Sequence, residues 1–157
     1  MNTIFYQSPV GILRVSEEDN FIVSLEVLPQ HPVEKETENY SPVLSEAKKQ
    51  LDEYFSGKRF EFDLPLKQKG TAFQKKAWDY LKTIPYGKTV SYKEEAEAMD
   101  CPKACRAVGS ANGCNTIAII IPCHRVINTG GKLGGYAYGF AVKQELLNME
   151  RQYLLKA

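Results

Sequence analysis

Apolar and polar positions alternate through the first thirty residues. Thr3-Ile4-Phe5-Tyr6-Gln7, Ile12-Leu13-Arg14-Val15 and Phe21-Ile22-Val23-Ser24-Leu25-Glu26-Val27-Leu28 read as strands, separated by the turn formers Ser8-Pro9-Val10-Gly11 and Asp19-Asn20. They predict a three-stranded antiparallel meander. His31 to Asn39 is polar and Glu-rich, a surface connection, and Ser41-Pro42 supplies a cap and a first-turn proline for a helix running to about Phe55 and ending at Gly57. The period then changes. Thr71-Ala72-Phe73-Gln74 is a capping box before a helix with Phe73, Ala77, Tyr80, Leu81 and Ile84 on one face, closed by Pro85-Tyr86-Gly87. Ser91-Tyr92-Lys93-Glu94 is a second capping box, for a short helix through Met99. Asp100-Cys101-Pro102 breaks it, and Pro102 starts another helix bearing Lys103, Arg106 and the small residues Ala104, Ala107, Gly109, Ser110 and Ala111. This pattern fits a helix-turn-helix whose second helix is slim enough to approach a nucleic acid backbone, and fits an ordinary helical hairpin equally. Ile117-Ala118-Ile119-Ile120-Ile121 reads as a strand or extended segment buried on both faces and ended by Pro122, so that the chain leaves the core at Cys123-His124-Arg125. A glycine-rich stretch, 130–136, precedes a last helix from about Phe140 to Tyr153.

Charge divides the chain as the periodicity does. Residues 1–66 hold 6 Lys/Arg against 12 Asp/Glu, a net −6, and residues 67–157 hold 14 against 7, a net +7. A basic half would attract a polyanion by counterion release, which the acidic half would be kept from; a solvated basic surface accounts for the same count. With 43% hydrophobic and 25% charged residues among 157, the composition is that of an ordinary globular chain. No window is long and apolar enough to span a bilayer. Met1 to Tyr6 has none of the marks of an export signal, and the expectation is a soluble, cytoplasmic monomer. Cys101, Cys105, Cys114 and Cys123 cluster in the second half, unlike a disulfide framework, and their spacing is not that of structural zinc; neither a metal nor another cofactor is expected.

Cysteine is nucleophilic as its thiolate, so Cys123 needs a base or a positive charge within reach, and His124 and Arg125 are candidates. Neighbours in extended chain point to opposite sides, which favours His124 acting through one water. An acid would have to orient the imidazole. Glu150, on an otherwise apolar turn of the last helix, is placed for this if it is buried and paired. On these residues alone a buried structural cysteine beside a satisfied histidine stays open.

Pro122-Cys123-His124-Arg125-Val126, preceded by Arg106-Ala107-Val108-Gly109 and Asn115 and followed by Gly135-Tyr136, resembles the signature of the O6-alkylguanine-DNA alkyltransferases, also called methylated-DNA–protein-cysteine methyltransferases. The resemblance runs from about Thr71 to Glu150 and more weakly into the meander. It implies an α+β protein with a ribonuclease-H-like antiparallel sheet domain over residues 1–66 and a winged-helix-like helix-turn-helix domain over 67–157. It also implies single-turnover transfer of a methyl or larger alkyl group from O6 of guanine in double-stranded DNA to Cys123, with the nucleotide flipped out. By the same resemblance His124 is the water-mediated base, Glu150 the orienting acid, and Asn115 a brace for the turn before the active-site segment. Tyr92 bonds guanine N3 and contacts DNA. Arg106 fills the gap in the base stack, with Ala107, Ser110 and Arg125 beside it on the DNA. The Cys123 and Val126 carbonyls accept from the guanine amino group, the Ala137 amide donates to O6, and Tyr136 and Tyr138 line the pocket. The chain departs from the family pattern at Thr116, where proline is common, and at Tyr138, where glycine is usual; a narrowed pocket would bear on bulky O6 groups, and acceptance of O4-methylthymine stays open. Competing readings are an alkyltransferase-like lesion sensor, which lacks the acceptor cysteine, a helix-turn-helix transcription factor, and a cysteine hydrolase.

Overall fold

A computed structural model describes residues 1–28 and 38–157. Most of the expected surface connection after His31 therefore lies outside the described residues. The chain forms two compact units, Met1–Gln68 with Thr116–Ile120, and Lys69–Asn115 with Ile121–Ala157. The second half of the sequence thus lends residues 116–120 to the first unit, which a single cut after residue 66 does not provide for.

In the first unit β1 (Asn2–Ser8), β2 (Gly11–Glu18) and β3 (Phe21–Val27) make the antiparallel meander, in the order β1-β2-β3. Asp19 and Asn20 both take positive φ in the tight turn, which their short polar side chains tolerate. Ile4 stands opposite Val15, and Val15 opposite Leu25, so the apolar positions of all three strands fall in one buried row. Helix α1 (Pro42–Phe55), capped by Ser41, contributes Leu44, Ala47, Leu51 and Tyr54 to this core. Buried Gln50 grips the backbone N–H and C=O of Asp63, tying down the chain beyond the helix.

The isoleucine run does not continue as a strand. Only Ile117 pairs, as a parallel bridge to Leu25, and residues 118–120 turn. Ile119 takes φ +70 between Ala118 and Ile120, whose C=O and N–H are bonded at 2.7 Å; this is a γ-turn of positive φ, costly for a β-branched residue. Pro122, at φ −83 and ψ 66, sits in an inverse γ-turn closed by Cys123 N–H to Ile121 C=O. Burial was legible in this run and conformation was not: all of 117–121 is buried, but folded on itself.

The second unit contains α2 (Ala72–Leu81), β4 (Val90–Ser91), α3 (Tyr92–Ala98), α4 (Cys105–Gly113), β5 (Val126–Ile127) and α5 (Phe140–Lys156). Both capping boxes are formed, Thr71 with Gln74 and Ser91 with Glu94. Helix α4 starts three residues later than its proline suggests, because Asp100 turns the chain at φ +58 and Pro102-Lys103 belong to the turn. Helices α2, α3 and α4 pack around Ala77, Ala96, Met99, Val108 and Ala111, and the Trp78 indole closes the helix pair by donating to Ala111 C=O at 2.8 Å. No helix of the described residues is long and apolar enough to cross a membrane.

Candidate active site

Parallel pairing of β4 with β5, Val90 opposite Val126 and Ser91 opposite Ile127, brings the start of α3 beside the segment that follows Cys123. Tyr92 is the first residue of α3, and Cys123–Arg125 form a single 3₁₀ turn immediately before β5. This turn is buried, so the chain does not leave the core at Cys123 as the sequence suggests: Cys123 is 9% exposed, Arg125 6% and His124 0%.

The Cys123 thiol accepts a hydrogen bond from Asn115 Nδ2 at 3.3 Å, and the same amide group donates to Ile121 C=O at 2.8 Å. Asn115 thus braces the turn and touches the sulfur. Burial pushes the thiol up, while the Asn115 bond and the Lys143 ammonium act in the opposite direction. Burial therefore favours the thiol over the thiolate at Cys123.

The next residue, His124, is paired to a buried acid. Glu150 of α5, fully buried, accepts from His124 Nε2 at 2.7 Å, from Arg125 Nε at 2.8 Å and a second guanidinium nitrogen at 3.0 Å, and from Gly87 N–H at 3.3 Å. Burial alone would raise its pKa; His124 and Arg125 overcome that and hold the carboxyl well below the usual range. His124 is pushed down chiefly by burial. An ionised carboxylate on Nε2 selects the tautomer protonated there, which leaves Nδ1 as the basic nitrogen. Nδ1 is buried with no hydrogen-bond partner among the described residues.

Arg125 corrects an expectation. Its guanidinium does not reach an outer surface for DNA; it is buried, gripped by Glu150, bonded to Ile84 C=O at 2.8 Å and lying 5.6 Å from the Tyr86 ring centroid. A buried guanidinium needs its charge matched, and Glu150 supplies the match.

A cavity of about 520 Å³ opens over the thiol, walled by Tyr92, Arg106, Asn112, Cys123, Tyr136 and Ala137. The Tyr92 ring lies against the bare backbones of Gly109 and Gly134; a Cβ on Gly134, which is at φ +71, would stand 3.3 Å from the ring. Arg106, Ala107 and Ser110 are exposed on α4, where the sequence placed them. Val126 and Tyr138, expected in the pocket, are not in its wall. Val126 is fully buried in β5, and the Tyr138 ring packs edge-on against Tyr136 with centroids 5.6 Å apart, bearing on the cavity through its neighbour.

Three side chains escaped the sequence reading. Lys143 is fully buried and its ammonium donates to the carbonyls of Val126, Leu133 and Gly135, stitching β5 and the glycine-rich loop to α5. Burial lowers it to about 8. Glu95 and Asn112 form a second buried polar pair, at 2.7 Å. The signal was present: Lys143 falls in register with Leu146, Leu147 and Glu150, and Glu95 with Tyr92, Ala96 and Met99, so each occupies a core position of its helix. Among the described residues no three His, Cys, Asp or Glu side chains are grouped as a metal site.

A cysteine in the wall of a cavity beside a helix-turn-helix, followed by a histidine paired to a buried acid, suits a class of proteins whose own thiol receives a group from a ligand presented there. Comparison with known proteins narrows the class. Residues 72–152 match the DNA-binding domain of 6-O-methylguanine DNA methyltransferase, and residues 1–68 its ribonuclease-like domain. A constitutive methylated-DNA–protein-cysteine methyltransferase of Bacillus subtilis is 47% identical over 152 residues, covering 92% of each chain. Among solved structures, OGT of Mycobacterium tuberculosis in complex with DNA superposes with a TM-score of 0.89 at 42% identity, over 98% of this chain and 94% of that one. An O6-methylguanine DNA methyltransferase from Methanococcus jannaschii gives 0.69 at 30% identity, over 94% and 93%. The chain belongs to the 6-O-methylguanine DNA methyltransferase family.

Proposed function

We propose that this protein repairs DNA by direct reversal, taking a methyl group from O6 of guanine in duplex DNA onto Cys123 in a single turnover. The observation that carries the reading is Cys123 in the wall of a cavity that Arg106 also lines, with its chain neighbour His124 paired to buried Glu150. The alkylated oxygen is inside the duplex, so the nucleotide must be everted, and unstacking costs a few kcal/mol that Arg106 offsets by filling the vacated place. Exposed Ala107 and Ser110 let α4 approach the backbone closely, and the N–H groups at its start, which no side chain caps, suit a phosphate.

The chemistry is an in-line displacement. The Cys123 proton passes to His124 Nδ1, through a water if needed; the sulfur lone pair attacks the methyl carbon as the carbon–O6 bond breaks, and its electrons enter the guanine ring. Glu150 stabilises the imidazolium that forms. The Tyr92 hydroxyl, which donates to Gly135 C=O at 3.5 Å, turns to guanine N3 and stabilises the charge on the departing base. The thioether has no leaving group to expel, so the site is spent. Incubation with a duplex containing O6-methylguanine, followed by mass measurement of the Cys123 peptide, tests the reading: one methyl is expected on the native peptide. Retained methyl removal by Cys123→Ala, or an unmodified native peptide after repair, would refute it. Arg106→Ala should slow repair of duplex far more than reaction with a free O6-alkylguanine base.

A further inference from the structure

Glu95 is fully buried on α3 and is not among the groups bonded to Glu150 or His124. Its Oε1 accepts from Asn112 Nδ2 at 2.7 Å, while its Oε2 and the Asn112 Oδ1 are buried with no hydrogen-bond partner among the described residues. Asn112 belongs to the wall of the cavity above Cys123. Two orphaned acceptors in one buried pair are costly, and one proton on the carboxyl removes both deficits: an acid O–H donated to the amide oxygen closes a two-bond ring with the N–H bond already present.

The surroundings of Glu95 favour that proton. Of the elements packed against α3, the strands β4 and β5 bring Val90, Ser91, Val126 and Ile127, none of them ionisable. Helix α2 brings Tyr80 and, on its exposed side, Lys75, Asp79 and Lys76, whose ammonium is bonded to Met99 C=O. Helix α4 brings Cys105 and exposed Arg106. Lys143, over the Tyr92 ring, is committed to three carbonyls. Burial carries the Glu95 carboxyl up to about 7, with the Asn112 bond acting in the opposite direction. Its negative charge, when present, is felt by Tyr80, by Tyr92 and by the Cys123 thiol, which it pushes up.

We propose that Glu95 is a positioning residue for the Cys123 reaction that serves as a neutral acid, pairing with Asn112 in both directions to hold the cavity wall and leaving the Cys123 thiolate unopposed. The inference rests on the alkyl-transfer reading for its biological meaning. The Glu95 proton stays in place throughout the transfer.

Glu95→Gln tests this, because glutamine reproduces the neutral acid at every pH: its oxygen accepts from Asn112 and its N–H donates back. Single-turnover methyl transfer from an O6-methylguanine duplex should be nearly equal in the two proteins at about pH 6, with the variant gaining on the order of threefold or more by about pH 8.5, where the native acid is ionised. Glu95→Leu should show the same trend relative to the native protein at a lower rate throughout, since it lacks the pair. A variant-to-native ratio that does not change with pH overturns the charge effect, and a Glu95→Leu protein as fast as Glu95→Gln overturns the positioning. Carbamidomethylation of Cys123 by iodoacetamide, followed by peptide mass over the same pH range, should give the same ratio without DNA. It reads the thiolate directly, so Glu95 is decided even if the native protein fails to demethylate DNA and the functional reading falls.

Discussion

Glu150 on α5 and Glu95 on α3 are both fully buried, yet the first is held below the ordinary carboxylate range and the second is raised to about 7. Burial pushes both upward. The difference lies in what surrounds each: Glu150 has a guanidinium, an imidazole and a backbone N–H, whereas Glu95 has one amide. Desolvating a carboxylate is repaid only where a cation and enough donors fill its lone pairs, and otherwise the group takes up a proton. One unit therefore contains a fixed negative charge, paired with His124 and Arg125, and a carboxyl whose charge is conditional.

Breaking the ionised cluster should have the largest effect. Glu150→Gln leaves the Arg125 guanidinium buried without its counter-charge and should cost about 3–5 kcal/mol in urea unfolding, with transfer lost along with the His124 tautomer. A cost below about 1 kcal/mol would mean that Arg125 finds another partner. The pH dependence follows from the sign of the shift. A carboxyl lowered on folding contributes stability that is complete above its unfolded pKa and drains away as pH falls through and below about 4, and Glu150→Gln should flatten that acid limb.

Glu95 should behave in the opposite sense. A carboxyl raised on folding makes the native state less favourable as pH climbs from its unfolded value through about 7, so Glu95→Gln should stabilise by up to about 3 kcal/mol near pH 8 and by almost nothing near pH 4. Thermal unfolding at the two pH values checks this, and equal gains at both would remove the contrast between the two acids. Lys143→Met takes the donor from three carbonyls and should cost about 2 kcal/mol, with transfer slowed further because the glycine-rich loop loses its anchor. Single-turnover rates alongside urea unfolding separate the two losses. Smallest is Tyr138→Gly: freeing the Tyr136 ring should speed benzyl transfer a few-fold relative to methyl. Equal change in both rates would show that Tyr138 does not limit substituent size.

Local chemistry was legible where a polar side chain caps a helix or a turn-forming residue closes a hairpin. The caps of Ser41, Thr71 and Ser91 bond groups three residues away, and the meander is closed by tight turns. The γ-turns at Ile119 and Pro122 were not, because an apolar β-branched run reports burial but does not exclude a fold within it. Arg125 looked like a DNA contact for want of any view of Glu150, twenty-five residues on. Lys143 and Glu95 stood at core positions of their helices, but a charged residue in an apolar register says only that a partner is needed.

By itself, then, the sequence determined the two-part division in charge and periodicity, the starts of the helices capped by Ser41, Thr71 and Ser91, the Cys-His pair and its family. Tertiary structure alone decided which nitrogen of His124 is left basic, that Arg125 faces inward, and which buried carboxyl is charged. The physical reason is that an ionisation state in a protein interior depends on the summed field of groups distant in sequence, and residue identity does not contain it.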